Sequence, residues 1–562
     1  MQMRRLRWQI LVVVVTLVLV GILLLSQKPV ATIIESQPAQ GGVYTEALIG
    51  GMGRLNPLLD WNNSPDRDVD RLLYSGLMRY DSRGFPEPDL AESWGATEDG
   101  TIYNFTIRPN AVWHDGQPVT SDDVIFTVNL IKSPASFYPQ DIKSLWANVE
   151  VVRLNDKNLQ FKITEPYAPF LDYLTFGVLP KHLLDGIPLD QLLNAEFNLK
   201  PVGSGPYKFD QLLVEGGQVT GVVLVRFEQY YGRQPFIDQV VFKYYPTSAA
   251  ALDAYTSGEV AGIGQITPDV LTQALENPEL SVYTSRMPQM GFVLFNLNNP
   301  EVPFLQDAKV RHALLLGLNR QRLIDTFLQG QAIRADGPIL PGSWAHFDGV
   351  PRLDYDPDAA IAELKLLGYS LPSDGSAVRA KDSVRLSFSL VHPDDALHTQ
   401  MAQSIQANWA AIGVEVNLIP APYDQVINNF LTPRTYQAAL VELAYPRTPD
   451  PDPYPFWHQA EATGGQNYSQ WDNRTASEYL EQARVTTDFS LRARLYRNFQ
   501  VIFGRELPAL PLYVPVYSYA VNSQVQGVQL PPLFDPSDRF SLITQWFLVT
   551  RRALEQTPTP AP

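Results

Sequence analysis

Residues 384–418 place a strand, a helix and a second strand in close succession, which leaves the chain one economical arrangement. VRLSFSLV at 384–391 alternates with period two. The stretch after it carries Met401, Ile405, Trp409 and Ile412 on one helical face, Gly413 closes the helix, and VEVNL opens the next strand. Two strands joined through a helix pair in parallel by a right-handed crossover, so an α/β region is predicted here. After a further helical segment near Tyr423, the apolar strand AALVEL runs into residues 441–471, VELAYPRTPDPDPYPFWHQAEATGGQNYSQW. Five prolines lie between Pro446 and Pro455. Proline fixes φ and removes a backbone donor, so the segment is predicted to be a stiff loop at the carboxyl end of a strand, where open α/β sheets hold ligands.

That loop is rich in recognition chemistry. Tyr445, Tyr454, Phe456, Trp457, Tyr468 and Trp471 offer aromatic walls, and Arg447, Asp450, Asp452 and Asn467 offer charge and amide contacts. The alternative role for each aromatic is to fix a long loop to the core.

A chain of 562 residues exceeds what one hydrophobic core usually serves, so two or more lobes are expected. The formal net charge is −16, with no basic tract beyond the N-terminus, which argues against nucleic acid as a partner. No cysteine occurs, which excludes disulfides, thiolate metal sites, a cysteine nucleophile and a lipid-modified N-terminal cysteine. Arg4, Arg5 and Arg7 precede an apolar run over residues 10–25, the pattern of an export signal or a short membrane anchor. No small-x-small cleavage site follows, which favours an uncleaved anchor. Beyond Leu25 no apolar run approaches bilayer-spanning length, so a channel is excluded.

Elsewhere the local signals are clear. GGVYTEALIG reads as a strand, DRDVDRLLYSGLMRYD as a helix with Val69, Leu72, Leu73 and Leu77 on one side, and TIYNFTIRP as a strand alternating Tyr103, Phe105 and Ile107 against polar neighbours. Thr120 to Asp123 form a capping box ahead of VIFTVNLI. MGFVLFNLNN is a strand, KVRHALLLGLN a helix, Asn319 caps the next helix, and Asp356-Pro357 starts another that Gly368 ends. PVGSGPYKF at 201–209 lacks the lysine of a phosphate loop and the spacing of a nucleophile elbow, so it reads as a structural turn. Seven histidines, His114, His182, His312, His346, His392, His398 and His458, form no metal-binding spacing, and no nucleophile or carboxylate pair is singled out. No metal, cofactor or catalytic residue is predicted.

Several blocks, in one order, carry a resemblance: GGVYTEALIGGMGRLNPLLD, LLYSGLMRYDSRGFPEPDLAESWGATEDGTIYNFTIRPNAVWHDGQPVTSDDVIFT, PVGSGPYKF, FEQYYGRQPFIDQVVFKYYP, FNLNNPEVPFLQDAKVRHALLLGLNRQRLID, YDPDAAIAELKLLGY and PDPYPFWHQAEATGGQNYSQWDN. Together they resemble the dipeptide- and oligopeptide-type extracellular solute-binding proteins that feed ABC importers. The resemblance implies an α/β, two-lobe, Venus-flytrap fold that closes around its ligand, with an extra subdomain inserted in the first lobe. It implies residues 1–40 as signal or anchor and tether, 41–288 as lobe I with the insertion at about 80–200, 289–512 as lobe II, 513–550 as a return to lobe I, and 551–562 as a disordered tail, with interlobe crossings near 289–291 and 512–516.

For the site, the resemblance places Phe295 and Asn296 at the end of the first strand of the second lobe, Tyr423 at an aromatic position and Asn467 near a family asparagine. Tyr445, Arg447 and Asp450 stand where peptide-binding members hold the ligand's ammonium, with Tyr468 and Trp471 beyond. Those members carry the acidic residue close behind the strand, whereas Asp450 here follows several residues later. Either the longer loop brings Asp450 into that role or no ammonium is recognised. The expected partners are a peptide, oligosaccharide or other small polar ligand and an ABC permease, with a monomeric, non-enzymatic protein on the outer face of the cytoplasmic membrane. The alternative is a flytrap that senses ligand for a membrane partner without transport.

Overall fold

A fourteen-residue strand, Ala509–Asn522, runs through both halves of a twelve-stranded sheet. The computed structural model that contains it describes residues 2–26 and 34–554. Two units are distinguished, Gly41–Leu548 and a smaller one formed by Met1–Gln40 with Val549–Pro562.

Within Gly41–Leu548, the sheet on one side of the long strand continues through Gln289–Phe295, Ala438–Ala444, Ser387–Pro393 and Glu415–Ala421. On the other side it continues through Gly262–Ile263, Val43–Ile49, Gln239–Tyr245, Gln218–Arg226 and Tyr207–Glu215. The first part of the long strand pairs with Gln289–Phe295, and its later part pairs with Leu280–Arg286. Those two partners are consecutive in the chain and meet at Met287-Pro288, where the proline has no N–H to give a ladder. At the change of partner Gly291 faces Tyr513. A Cβ there would lie 2.8 Å from the Tyr513 ring, so only glycine lets the two strands approach.

The predicted crossover is present: Ser387–Pro393 pairs in parallel with Glu415–Ala421 through the helix Ala396–Ala411. Trp409 on that helix is fully buried and its indole N–H donates to the Leu314 carbonyl at 2.8 Å. Strand Ala438–Ala444 is largely buried on both faces, which explains why AALVEL is apolar at every position but Glu442. One face packs on Leu364, Ile405 and Trp409, the other on Trp457, Phe499 and Phe503.

The first lobe buries a separate core and shares it with a four-stranded antiparallel sheet, Ala91–Ala96, Ile102–Ile107, Asn158–Ile163 and Val149–Arg153. Tyr103, Phe105 and Ile107 are its buried alternate positions. The helix Ser121–Lys132 beside it starts with the Thr120/Asp123 capping box. The run at 66–81 is helical only as far as Leu73, in the helix Ser64–Leu73, and turns to strand at Met78–Tyr80, because Gly76 sits against the Thr175 backbone, where a Cβ would come within 2.8 Å. PVGSGP is a structural turn: the Gly205 N–H donates to the Leu73 carbonyl at 2.8 Å, and a Cβ on Gly203 would lie 1.8 Å from that oxygen.

In the smaller unit Gln2–Ser26 is a helix. Among the described residues no helix is long and apolar enough to cross a membrane. The apolar run at 10–25 rises only about 24 Å at 1.5 Å per residue, against a hydrocarbon core of about 30 Å. Two expectations are corrected here. Ile34–Ala39, taken from sequence as tether, pairs antiparallel with Val549–Leu554, so residues 551–554 are strand and not disordered tail. Each segment satisfies the other's backbone groups, which isolated windows of sequence do not reveal. The rest of the expected tail, 555–562, and residues 27–33 of the tether lie outside the described residues.

Candidate functional site

The proline-rich loop leaves strand Ala438–Ala444 and is fastened from behind by charge. Asp450 pairs with Arg492 and accepts from the Tyr496 hydroxyl at 3.3 Å. Asp452 accepts from Arg484 at 2.7 and 2.9 Å, and that guanidinium also covers the Tyr454 ring at 3.7 Å. Both arginines belong to the helices Arg474–Val485 and Phe489–Glu506, so the loop is clamped to the second lobe. Burial works against the charge of Arg492, but the Asp450 carboxylate beside it outweighs burial and holds the arginine's pKa above its usual range.

In front of the loop lies a cavity of about 950 Å³, at the large end of what ligand sites occupy. Second-lobe residues in its wall include Tyr445, Arg447, Phe456 and Tyr468; first-lobe residues include Asp60, Trp61, Asp70, Tyr74, Tyr138 and Asp172. The first-lobe wall is built on helix Ser64–Leu73, started by Asn63, whose side chain accepts from the Asp66 N–H. Arg67 and Arg71, one turn apart on that helix, pair with Asp535 and Asp538 at 2.9 Å each. Asp66 takes the backbone N–H groups of Gly53 and Arg54, and Asp68 pairs with the fully buried Arg539, which also holds Glu46.

The lobes touch on both sides of this cavity. Arg447 reaches over to the first lobe, 3.4 Å from the Asp535 carboxylate, and donates to the Trp61 carbonyl at 3.1 Å. On the other side the Tyr167 hydroxyl donates to Asp452 at 3.4 Å, and Phe85 packs edge-on against Phe489. A second cavity of about 320 Å³ lies toward the crossing strands, lined by Met287, Pro288 and Tyr517. Arg67, Ala444, Tyr445, Arg447 and Asp535 line both, so the Arg447–Asp535 contact partitions them. Burial opposes the charge of Asp535, yet Arg67 and Arg447 together keep its carboxyl below the usual range.

An interlobe cleft walled by two α/β halves has counterparts among known proteins. Residues 86–467 match the family described as bacterial extracellular solute-binding proteins, family 5. The chain belongs to this family. It is similar to the oligopeptide-binding protein AppA of Bacillus subtilis, with 26% identity over 519 residues covering 91% of this chain and 92% of that protein. It is also similar to the dipeptide-binding protein of Escherichia coli, with 26% identity over 493 residues covering 82% and 87%. In fold it resembles the structure of HbpA2 from Haemophilus parasuis, with a TM-score of 0.77 at 21% identity, covering 92% of this chain and 100% of that one. This family 5 member is thus an extracellular solute-binding protein, the class that delivers ligands to ABC transporters.

The nine residues singled out in sequence divide sharply. Tyr445, Arg447 and Tyr468 line the cleft. Tyr445 is positioned by its hydroxyl donating to the Pro338 carbonyl at 2.6 Å, and Tyr468 carries the Arg434 guanidinium 4.8 Å from its ring. The other six are not among the lining residues. Phe295 is buried against Phe388. Asn296 donates to the carbonyls of Arg434 and Tyr436, and Asn467 to those of His458 and Trp471. Trp471 is buried and donates to Glu506 at 2.9 Å, while Tyr423, half-exposed, donates to the Glu442 carbonyl. Asp450 faces inward to Arg492.

The first-lobe wall was missed. One signal for it is present in DRDVDRLL: Asp66 and Asp70 share a helical stripe with Val69 and Leu73, so acids interrupt the apolar face.

Proposed function

We propose that this family 5 protein captures a peptide in the interlobe cleft outside the cytoplasmic membrane and hands it to an ABC permease, acting as a monomer and without chemistry on the ligand. The observation that carries the reading is the cavity of about 950 Å³ walled by both lobes, with a cross-lobe contact at Arg447 on its rim. A ligand that touches both walls stabilises the arrangement in which they face each other, which is how a flytrap reports occupancy. Peptide as the ligand class is supported by the relatives, which are named as oligopeptide- and dipeptide-binding proteins. The N-terminal helix with its three arginines serves export or tethering on this reading.

A peptide panel in thermal denaturation tests the ligand class. A peptide present at a hundred times its dissociation constant adds about 2.7 kcal/mol of stability. Absence of any shift across dipeptides to nonapeptides overturns the peptide reading. N-terminal sequencing of the native protein tests the tether, since a mature start near Thr32 rules it out.

A further inference from the structure

We propose that Asp60 and Asp70, side by side in the first-lobe wall of the cleft, form a subsite for the ammonium group of the ligand. The inference rests on the peptide reading above and assigns that ligand's positive end to the first lobe, away from the proline-rich loop.

Several observations converge on the pair. Both carboxylate oxygens of Asp70 are shut off from solvent without a hydrogen bond of normal geometry, although the residue lines the cavity and is only 4% exposed. The nearest backbone donor facing it, the Asn56 N–H, already donates to the Arg54 carbonyl at 2.9 Å. Asp60 lines the cavity as well, close enough to Asp70 for the two carboxyls to hydrogen-bond to each other. Buried carboxylates left in this way are unfavourable and call for a cation.

Among the described residues no cation pairs with Asp70, and Arg67 and Arg447, whose charges reach Asp60, are both paired with Asp535. All five arginines that line the cavity are committed elsewhere: Arg67 and Arg447 to Asp535, Arg71 to Asp538, Arg79 to Glu87 and Arg484 to Asp452. No lysine lines it. Asp60 and Asp70 are thus two neighbouring acids of the cleft wall that no arginine pairs with, unlike Asp535 and Asp538.

The surroundings suit an organic cation. Trp61 and Tyr138 stand with ring centroids 5.5 Å apart beside the pair, and aromatic faces attract positive charge. Trp61 already holds the Arg447 guanidinium 4.4 Å from its ring. Among the described residues no group of three or more histidine, cysteine or acidic side chains is placed to hold a metal ion, so the ammonium fits better. Asp450 in the proline-rich loop is outside the cavity lining, is occupied by Arg492 and is not free to serve.

The experiment uses two matched sets of tri- to pentapeptides lacking lysine, arginine and histidine, one with free amino termini and one N-acetylated. Affinities are measured calorimetrically for the full chain and for its Asp60→Asn and Asp70→Asn variants. Free-amino peptides are expected to bind, with acetylation and each substitution weakening binding at least tenfold. The unliganded variants are expected to melt at or above the wild-type temperature, since each removes an uncompensated buried charge. Equal affinity of the wild type for both sets overturns the subsite and leaves the peptide reading standing, and this comparison needs no variant to fold. Undiminished binding by both variants overturns it equally. If neither set binds, the peptide reading falls and the subsite with it.

Discussion

Arg447 and Asp535 meet across the cleft, one from the second-lobe loop and one from the first lobe, at 3.4 Å. Arg447 is about a third exposed, so water and salt weaken the contact. Replacing Arg447 by Met keeps the stem over Trp61 and removes the charge. The expected result is a loss of up to about 1 kcal/mol in the closed arrangement. Small-angle scattering checks it: the unliganded variant should show the larger radius of gyration, and added salt should expand the wild type more than the variant.

Asp450→Ala leaves the Arg492 guanidinium buried without its partner. A destabilisation of about 3–5 kcal/mol is expected, the range for breaking a buried ion pair from one side. Urea titration reads it as a lower midpoint. Peptide affinity measured where the variant remains folded should match the wild type, because the carboxylate faces the helices and not the cavity.

Gly203→Ala places a methyl group 1.8 Å from the Leu73 carbonyl oxygen, on rigid backbone. The two segments must separate, with an expected loss of about 3 kcal/mol or more. Gly186→Ala tests a glycine with open space around it, where the penalty comes from its φ of +83° alone. Melting curves should rank wild type above Gly186→Ala, and that above Gly203→Ala.

Burial pushes Asp66 and Asp68 up to about 6, and raises Asp60 and Asp70 in the same direction. A carboxyl whose pKa is higher folded than unfolded keeps its proton in the native state through that interval. Stability therefore falls as pH rises from about 4 to about 6 and beyond, until the folded groups have ionised. His114, lowered to about 4 by burial, acts oppositely between about 4 and 6.5. Four carboxyls outweigh one imidazole, so the melting temperature is expected to be higher near pH 5 than at pH 8. Asp70→Asn should narrow that difference.

Local periodicity carried the architecture well because local and global preferences agree in the second lobe. Asp356-Pro357, Asn319 and Gly413 mark helix ends that the structure keeps, and the crossover at 384–418 admits one pairing. The site was less legible. Aromatic and amide residues near the end of a strand look alike in sequence whether they face a ligand or tie down a loop. The Asn467 side chain donates to the Trp471 carbonyl and accepts the Trp471 N–H, and the Trp471 indole donates to Glu506, a fastening that depends on a helix some distance along the chain. Asp450 looks like an available anion until Arg492, 42 residues later, folds onto it. The first-lobe wall was harder to read because Asp60, Asp70, Tyr138 and Asp172 come from segments far apart in the chain that only the fold brings together.

The strand Ala509–Asn522 has a consequence for biosynthesis. It completes the sheet for Gln289–Phe295 and for Gly262–Ile263 alike, yet it leaves the ribosome only after both of them. Until it arrives, each half exposes an open strand edge able to pair with a neighbouring chain. The protein's birth is thus its vulnerable moment, and neither half is protected from aggregation until this strand has been made.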